Sequence, residues 1–292
     1  MNAFEAALNN KNFVVTSEVL LGSQSDEQHI HEHADLLRDL VDAVLATDNQ
    51  SGRLHVSSLA AACVLRQAGV EPIMQLGCRN RNRVALLGDL LGAHMLGIRN
   101  FQIVRGERVP EGFKPRPKAE LDVTTTELID IANKMKVGEG IASFPDLFLG
   151  GVTTARAPTA DWPARKLVGK VEAGARFVLT HSCMDIDIIR AYFRHLVAMK
   201  LTHKARFIVS LAVLSSPQDA RWLRENKPNT TLPQSLIDRL GSSTEARAEG
   251  IEIAAELLRE FVRIPGISGA HLYAPTDLTA ITEVLRQADL AT

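Results

Sequence analysis

Cysteine is scarce in this 292-residue chain: Cys63, Cys78 and Cys183 stand far apart, and no CxxC pair occurs. An odd number at long spacings excludes a disulfide framework and gives no zinc or dithiol motif, so reduced thiols and a cytoplasmic setting are expected. Net charge is almost absent, with 33 basic side chains against 34 acidic ones and a formal charge of -1. That balance excludes the electrostatic footprint of non-specific nucleic-acid or anionic-membrane binding, leaving small molecules as the expected partners. No apolar run approaches the ~18 residues of a membrane helix. The start, MNAFEAALNNKNF, lacks the basic and apolar regions of a signal peptide, so an unprocessed, soluble protein is expected. A glycine-rich phosphate turn is also missing, because Gly22-Ser23-Gln24-Ser25 after the first apolar run is not GxGxxG.

What is present is an alternation of short β-rich runs and longer helical patterns. The runs are 13–20, 42–47, 72–76, 101–104, 140–144, 176–181, 206–211 and 270–273. Helical spacing follows each: Ile30, Ala34, Leu37 and Val41 after the first, then about 56–67, 84–96 and a long pattern from about 243 to 261. Ser25 with Gln28, Thr124 with Glu127, and Ser242 with Glu245 have capping-box spacing. The polar, Pro-rich stretch 108–122 reads as a long loop over one face. Eight alternations without a linker predict an α/β fold, one (β/α)8 barrel domain over 1–292, with a doubly wound sheet as the rival.

In such a barrel the chemistry gathers at the C-terminal strand ends, which selects Glu18, Thr47, Gln75, Glu107, His181 and Tyr273. His29, His31 and His33 resemble a metal cluster, yet they lie on an outer helix where only 29 and 33 share a face; a solvated surface is the reading and no metal is assigned. Cys78 reads as a packed thiol, and the basic loop of Arg79, Arg81 and Arg83 as a helix-start feature, with contact to a ligand's anionic tail as its alternative. Asp185 is as well suited to capping the next helix as to touching a ligand.

Several segments stand in a recognisable order. They are Ser17-Glu18 closing the first strand, Leu76-Gly-Cys-Arg-Asn-Arg-Asn-Arg83, Gly97-Ile-Arg-Asn100 leading to Arg105-Gly106-Glu107, Lys170-Val-Glu-Ala-Gly-Ala175 leading to Thr180-His181, and Gly269-Ala-His-Leu-Tyr273. In this the chain resembles the methylenetetrahydrofolate reductases, over about residues 13–290. The resemblance implies a flavin-bearing barrel of one-carbon metabolism, an oxidoreductase interconverting 5,10-methylene- and 5-methyl-tetrahydrofolate with NADH or NADPH. It gives Glu18 the place of the acid that supplies a proton at the folate, places Glu107, His181, Gln75 and Tyr273 at the substrate, and places Thr47, Arg105, Gly106 and Lys170 at the cofactor.

The departures fall mainly on the flavin side. Glu107 replaces an aspartate, His181 a glutamine and Gln75 a histidine. Thr154-Ala-Arg-Ala-Pro158 stands where a flavin-stacking tyrosine and a phosphate-side histidine are usual, Thr124 where another aromatic is usual, and Thr276-Asp277 for an Asn-Arg pair. The resemblance therefore implies FAD while its usual contacts are largely substituted, which leaves two enzymatic readings: a flavin held through substituted contacts, with Arg156 and Lys166 at its phosphates, or a nicotinamide hydride passing directly to the folate. A folate-binding barrel without redox activity and another barrel enzyme of one-carbon metabolism are the alternatives. A homo-oligomer stays open.

Overall fold

The computed structural model describes residues 1–48, 52–118, 120–136 and 146–290. Eight parallel strands close a barrel in chain order, β1 to β8. They are β1 Val14–Val19, β2 Ala43–Ala46, β3 Pro72–Gly77, β4 Asn100–Val104, β5 Phe148–Thr153, β6 Phe177–Thr180, β7 Arg206–Ala212 and β8 Gly269–Tyr273. The circle closes where Thr16 of β1 stands beside His271 of β8. The outer layer is α2 Glu27–Leu37, α3 Ser58–Gln67, α4 Arg83–Met95, α5 Thr125–Lys136, α6 Arg165–Ala173, α7 Ile186–Ala198, α8 Pro217–Asn226, α9 Gln234–Ser242, α10 Ala246–Arg263 and α11 Thr279–Gln287. The arrangement is a (β/α)8 barrel, as the alternation predicts.

Side chains alternate across each strand, so every second residue points inward. The barrel lumen holds Val14, Ala43, Leu45, Ile73, Phe148, Phe177, Leu179 and Ile208 as one apolar cluster. Gly150 leaves room for the Phe177 ring, since a Cβ there would lie 2.3 Å from that ring. The N-terminal mouth is plugged by a helix the periodicity did not reveal, α1 Ala3–Asn10. Its Phe4 is fully buried, edge-on to Phe148 at 5.9 Å and to Phe177 at 5.3 Å. With one mouth stoppered by apolar side chains, the polar inward positions gather mainly toward the other, Asn100 at the start of β4 being an exception that donates to Glu71 and the Pro72 carbonyl.

Some local expectations need correction. The run 140–144 lies outside the described residues, and the fifth strand is instead Phe148–Thr153, whose Gly150-Gly151 pair weakens the apolar signal. Helix α2 is capped by Asp26, which accepts from the His29 amide at 2.8 Å, while Ser25 Oγ accepts from the Gly22 amide. The pattern at 243–261 is α10, starting at Ala246; Ser242 ends α9, and Ser243 Oγ accepts from the Glu245 amide. The Thr124–Glu127 box forms in both directions, at 2.7 and 3.2 Å.

Candidate active site

The C-terminal mouth opens into a cavity of about 460 Å³. Glu18, Thr47, Gln75, Glu107, His181 and Tyr273 all line it, together with Arg105 and Gly106. Alternation along β1 turns Glu18 inward above Val14 and Thr16, and each other strand end contributes in the same way. Gly106 has φ +80, a left-handed conformation in which glycine carries no Cβ penalty. It turns the chain so that Arg105 and Glu107 stand exposed at the rim.

Lys170 is the exception. It lies on α6 behind β5, where Nζ donates to the Val152 carbonyl at 2.5 Å, and it is not among the cavity-lining residues. Burial, then Lys166, lowers its pKa. A helix residue facing the strand layer meets the outside of the barrel, which the motif alone could not reveal. Thr47 reaches the cavity with its hydroxyl engaged, donating to Val19 O at 3.0 Å and accepting from the Leu21 amide at 3.3 Å. Its evident work is tying β2 to the end of β1.

Two opposing influences set the electrostatics of Glu18. Burial alone pushes its carboxyl up, but the hydrogen bond and charge of His271, followed by the charge of Lys227, outweigh that and hold it below its ordinary value. The site therefore presents a carboxylate at neutral pH, not a carboxylic acid. His271 lies 3.2 Å from Glu18 Oε2 through Nε2.

His181 does not titrate near physiological pH. Burial first, then the charges of Lys227, Lys170 and Arg156, push it down to about 4, so at neutral pH it is a neutral imidazole. Because the unfolded side chain takes up its proton near 6.5 and the folded one near 4, the stability that neutral His181 contributes is complete above pH 6.5 and is lost as pH falls toward 4. The full loss is roughly 3 kcal/mol at most. Denaturant titrations should show His181→Gln to be less sensitive than the parent to acidification from pH 7.5 to 5; equal sensitivity would mean that His181 takes up its proton normally in the fold.

Residues that sequence reasoning missed complete the wall. Asp48, at the end of β2, is 3% exposed and binds Arg81 in bidentate fashion, while Oδ2 accepts from the Gly77 amide at 2.8 Å. Its own amide donates to Gln75 Oε1 at 2.9 Å, and Gln75 Nε2 donates to Gln102 Oε1 at 2.6 Å. The basic loop is thus engaged internally: Arg81 also meets Asp89, Arg79 donates to Gly106 O, and Arg83 pairs with Asp122. Lys227, Pro228, Asn229 and Thr230 cover the cavity from the segment after α8. That strap is pinned where the Thr231 amide donates to Ser182 O at 2.9 Å and the Met184 amide to Thr231 O at 2.8 Å.

Other groups fall outside the chemistry. Cys78 is pushed up to about 11 by burial and is a packed thiol. Asp185 caps α7, accepting from the Asp187 and Ile188 amides. His33 and His29 share one side of α2, their rings 4.4 Å apart and half-buried rather than fully solvated. Among the described lining residues the only rings are His181, His271, Pro228 and Tyr273, and the wall from β4 to β6 offers Val104, Val152 and Leu179. Among the described residues no Phe, Tyr or Trp from β4 to β6 lines the cavity, so the residues present do not fit a flavin held by the family's usual aromatic contacts.

Comparison with known proteins accords with this geometry. An uncharacterised protein from Clostridium thermocellum that binds two copies of 5-methyl-5,6,7,8-tetrahydrofolic acid superposes with TM-score 0.72 at 12% identity, covering 98% of each chain. DmoA from Hyphomicrobium sulfonivorans gives TM-score 0.56 at 9% identity over 96% of this chain and 88% of its own, and the EDTA monooxygenase EmoA from Chelativorans sp. BNC1 gives 0.53 at 12% over 94% and 92%. These likenesses establish the barrel. The sequence model for methylenetetrahydrofolate reductase matches residues 3–289, and the chain belongs to that family.

Proposed function

We propose that this protein interconverts 5,10-methylene- and 5-methyl-tetrahydrofolate, with hydride passing directly between a nicotinamide cofactor and the folate. The observation that carries the reading is a family barrel whose polar mouth keeps a largely buried carboxylate, Glu18, while among the described residues the cavity's β4–β6 wall carries no Phe, Tyr or Trp. In the reducing direction the bond from the bridging carbon to N10 breaks as N10 takes a proton, leaving an iminium cation at N5. The carboxylate of Glu18 stabilises that cation in a site where water screens it poorly. Hydride then adds to the bridging carbon to give the methyl group. Neutral His181 and the Gln75–Gln102 pair supply hydrogen-bonding groups that orient a flat, polar heterocycle, and Tyr273, kept protonated by burial, is available as a donor. Lys227, with Arg105 and Arg108 at the rim, favours the anionic ends of both ligands.

Purified protein should be colourless and should turn over NADH or NADPH with methylene-folate at a rate that added FAD leaves unchanged. Steady-state lines should intersect, as a ternary complex requires. Stoichiometric bound flavin with parallel double-reciprocal lines would refute direct transfer while leaving the family reaction standing. A protein that binds reduced folate but oxidises neither nicotinamide would be a binding barrel.

A further inference from the structure

We propose that two copies of this chain pair through α4, antiparallel, about a two-fold axis level with the step from Asp89 to Leu90. One face of α4 packs against the barrel through Leu86, Leu87, Leu90 and Ala93. The opposite face is exposed, and it carries Val84, Ala85, Gly88, Leu91, Met95 and, just past the last turn, Leu96. Val84 is 80% exposed and Met95 79%. The only exposed charge on the helix is Arg83. Other outer helices differ: α2 exposes Glu27, Glu32 and Asp35, and α7 exposes Asp187, Arg190 and Arg194. A helix whose outer face is as apolar as its inner one is built to be covered on both.

Spacing, size and charge all select a second copy as the cover. Positions 84 and 95 stand equally far from the axis, as do 88 and 91, so Val84 faces Met95 of the second copy and Gly88 faces its Leu91. The stripe maps onto itself, as a two-fold interface requires. Leu91 of each copy then fills the space over Gly88 of the other. A Cβ on Gly88 would meet nothing within 4 Å in its own chain, so internal packing does not call for glycine there. Glycine inside a helix costs stability relative to alanine, and the close approach of another helix accounts for it. The ends of the stripe are complementary in charge. Arg83 stands at the positive end of the α4 dipole with its guanidinium 3.7 Å from Asp122, while Asp146, 41% exposed, lies beside His94 at the negative end. Antiparallel packing lays the first turn of each copy along the last turn of the other, and so brings Arg83 to the carbonyl end and Asp146. A parallel pair would set Arg83 against Arg83. The formal charge of -1 adds little repulsion between copies. A specific interface buries about 1,000 Å² in all, half from each copy, and four large apolar side chains with Ala85, Gly88 and the Arg83 stem offer an area of that order.

Sedimentation equilibrium of the whole protein should give twice its 31.9 kDa mass at micromolar concentration. Val84→Lys and Met95→Glu should each weaken the dimer at least ~100-fold, because each places an unpaired charge in an apolar contact. Carried by the same chain, the two should return association to within about tenfold of the parent, since the introduced ammonium of one copy meets the introduced carboxylate of the other. Within one helix positions 84 and 95 are about 16 Å apart and cannot pair, so the rescue reports the antiparallel register. Gly88→Ala should raise the thermal stability of the dilute monomer and yet weaken the dimer about tenfold, opposite signs that a purely internal role would not produce. All three positions are exposed, so the barrel persists, which circular dichroism checks. A parent that is monomeric at every concentration, charged variants that associate as the parent does, or a double variant no better than the singles each overturn the proposal.

Discussion

Glu18→Gln should leave a folded barrel that binds reduced folate within a few-fold of the parent yet turns it over at least ~100-fold more slowly. Glutamine is nearly isosteric, and its side-chain oxygen still accepts from His271 Nε2, so the wall keeps its shape. In the proposed reaction, what disappears is the negative charge that stabilises the iminium. A hundredfold loss is about 2.7 kcal/mol of transition-state stabilisation, modest for a buried charge aimed at a developing cation. Glu18→Ala would be the weaker experiment, since it adds a void and strands His271. The same substitution has a stability signature. Because folding holds the Glu18 carboxyl below its ordinary value, its ionisation contributes stability above about pH 4.5 that is lost as pH falls through the lowered folded value. Glu18→Gln should therefore respond less to acid than the parent. Near-normal turnover in a well-folded Glu18→Gln protein would remove Glu18 from the reaction.

Much of this molecule is legible in its sequence, for reasons that separate what was read from what was missed. Strands such as Phe177–Thr180 and Arg206–Ala212 are β-branched or apolar runs buried on both faces, and parallel barrels make such runs stand out. Counting alternations then gives the barrel, and the barrel rule places Glu18, Gln75, His181 and Tyr273 in one mouth without contact information. The fifth strand was misplaced because Gly150 and Gly151 carry no hydrophobic signal; Gly150 is glycine to accommodate Phe177, a partner 27 positions away. Helix α1 escaped because its eight residues bury only Phe4 and Leu8, too few for a period. His271 was passed over as part of a family motif, although its inward place follows from alternation with Tyr273. Its use is visible only when β1 and β8 pair across the closure, bringing together residues 253 apart in the chain. The lowered Glu18 pKa has the same origin. Burial can be anticipated for a strand end, but the His271 and Lys227 partners that reverse its effect come from distant segments.

Asp48→Asn should be the most destabilising single change among the cavity residues, by roughly 3 kcal/mol or more. The carboxylate side chain is 1% exposed and the Arg81 side chain 26%, so removing the charge leaves a partly buried guanidinium with Asp89 at 3.3 Å as its remaining anionic partner. Breaking one member of such a pair exposes the desolvation cost of the other, whereas removing both releases it. Asp48→Asn combined with Arg81→Met should accordingly recover much of the stability lost in the single variant, a coupling that independent surface changes would not show. The site should respond in parallel. The Asp48 amide fixes Gln75 and Gln75 fixes Gln102, so loosening the β2 end blurs the donors offered to a bound heterocycle. Reduced-folate affinity in Asp48→Asn should drop by about tenfold, the scale of one well-made hydrogen bond to a polar ligand group. Thermal unfolding and folate titration of the two singles and the double decide the matter. Strictly additive stabilities would show that Asp48 and Arg81 do not depend on each other, and unchanged folate affinity in a destabilised Asp48→Asn protein would detach the Gln75–Gln102 pair from ligand binding.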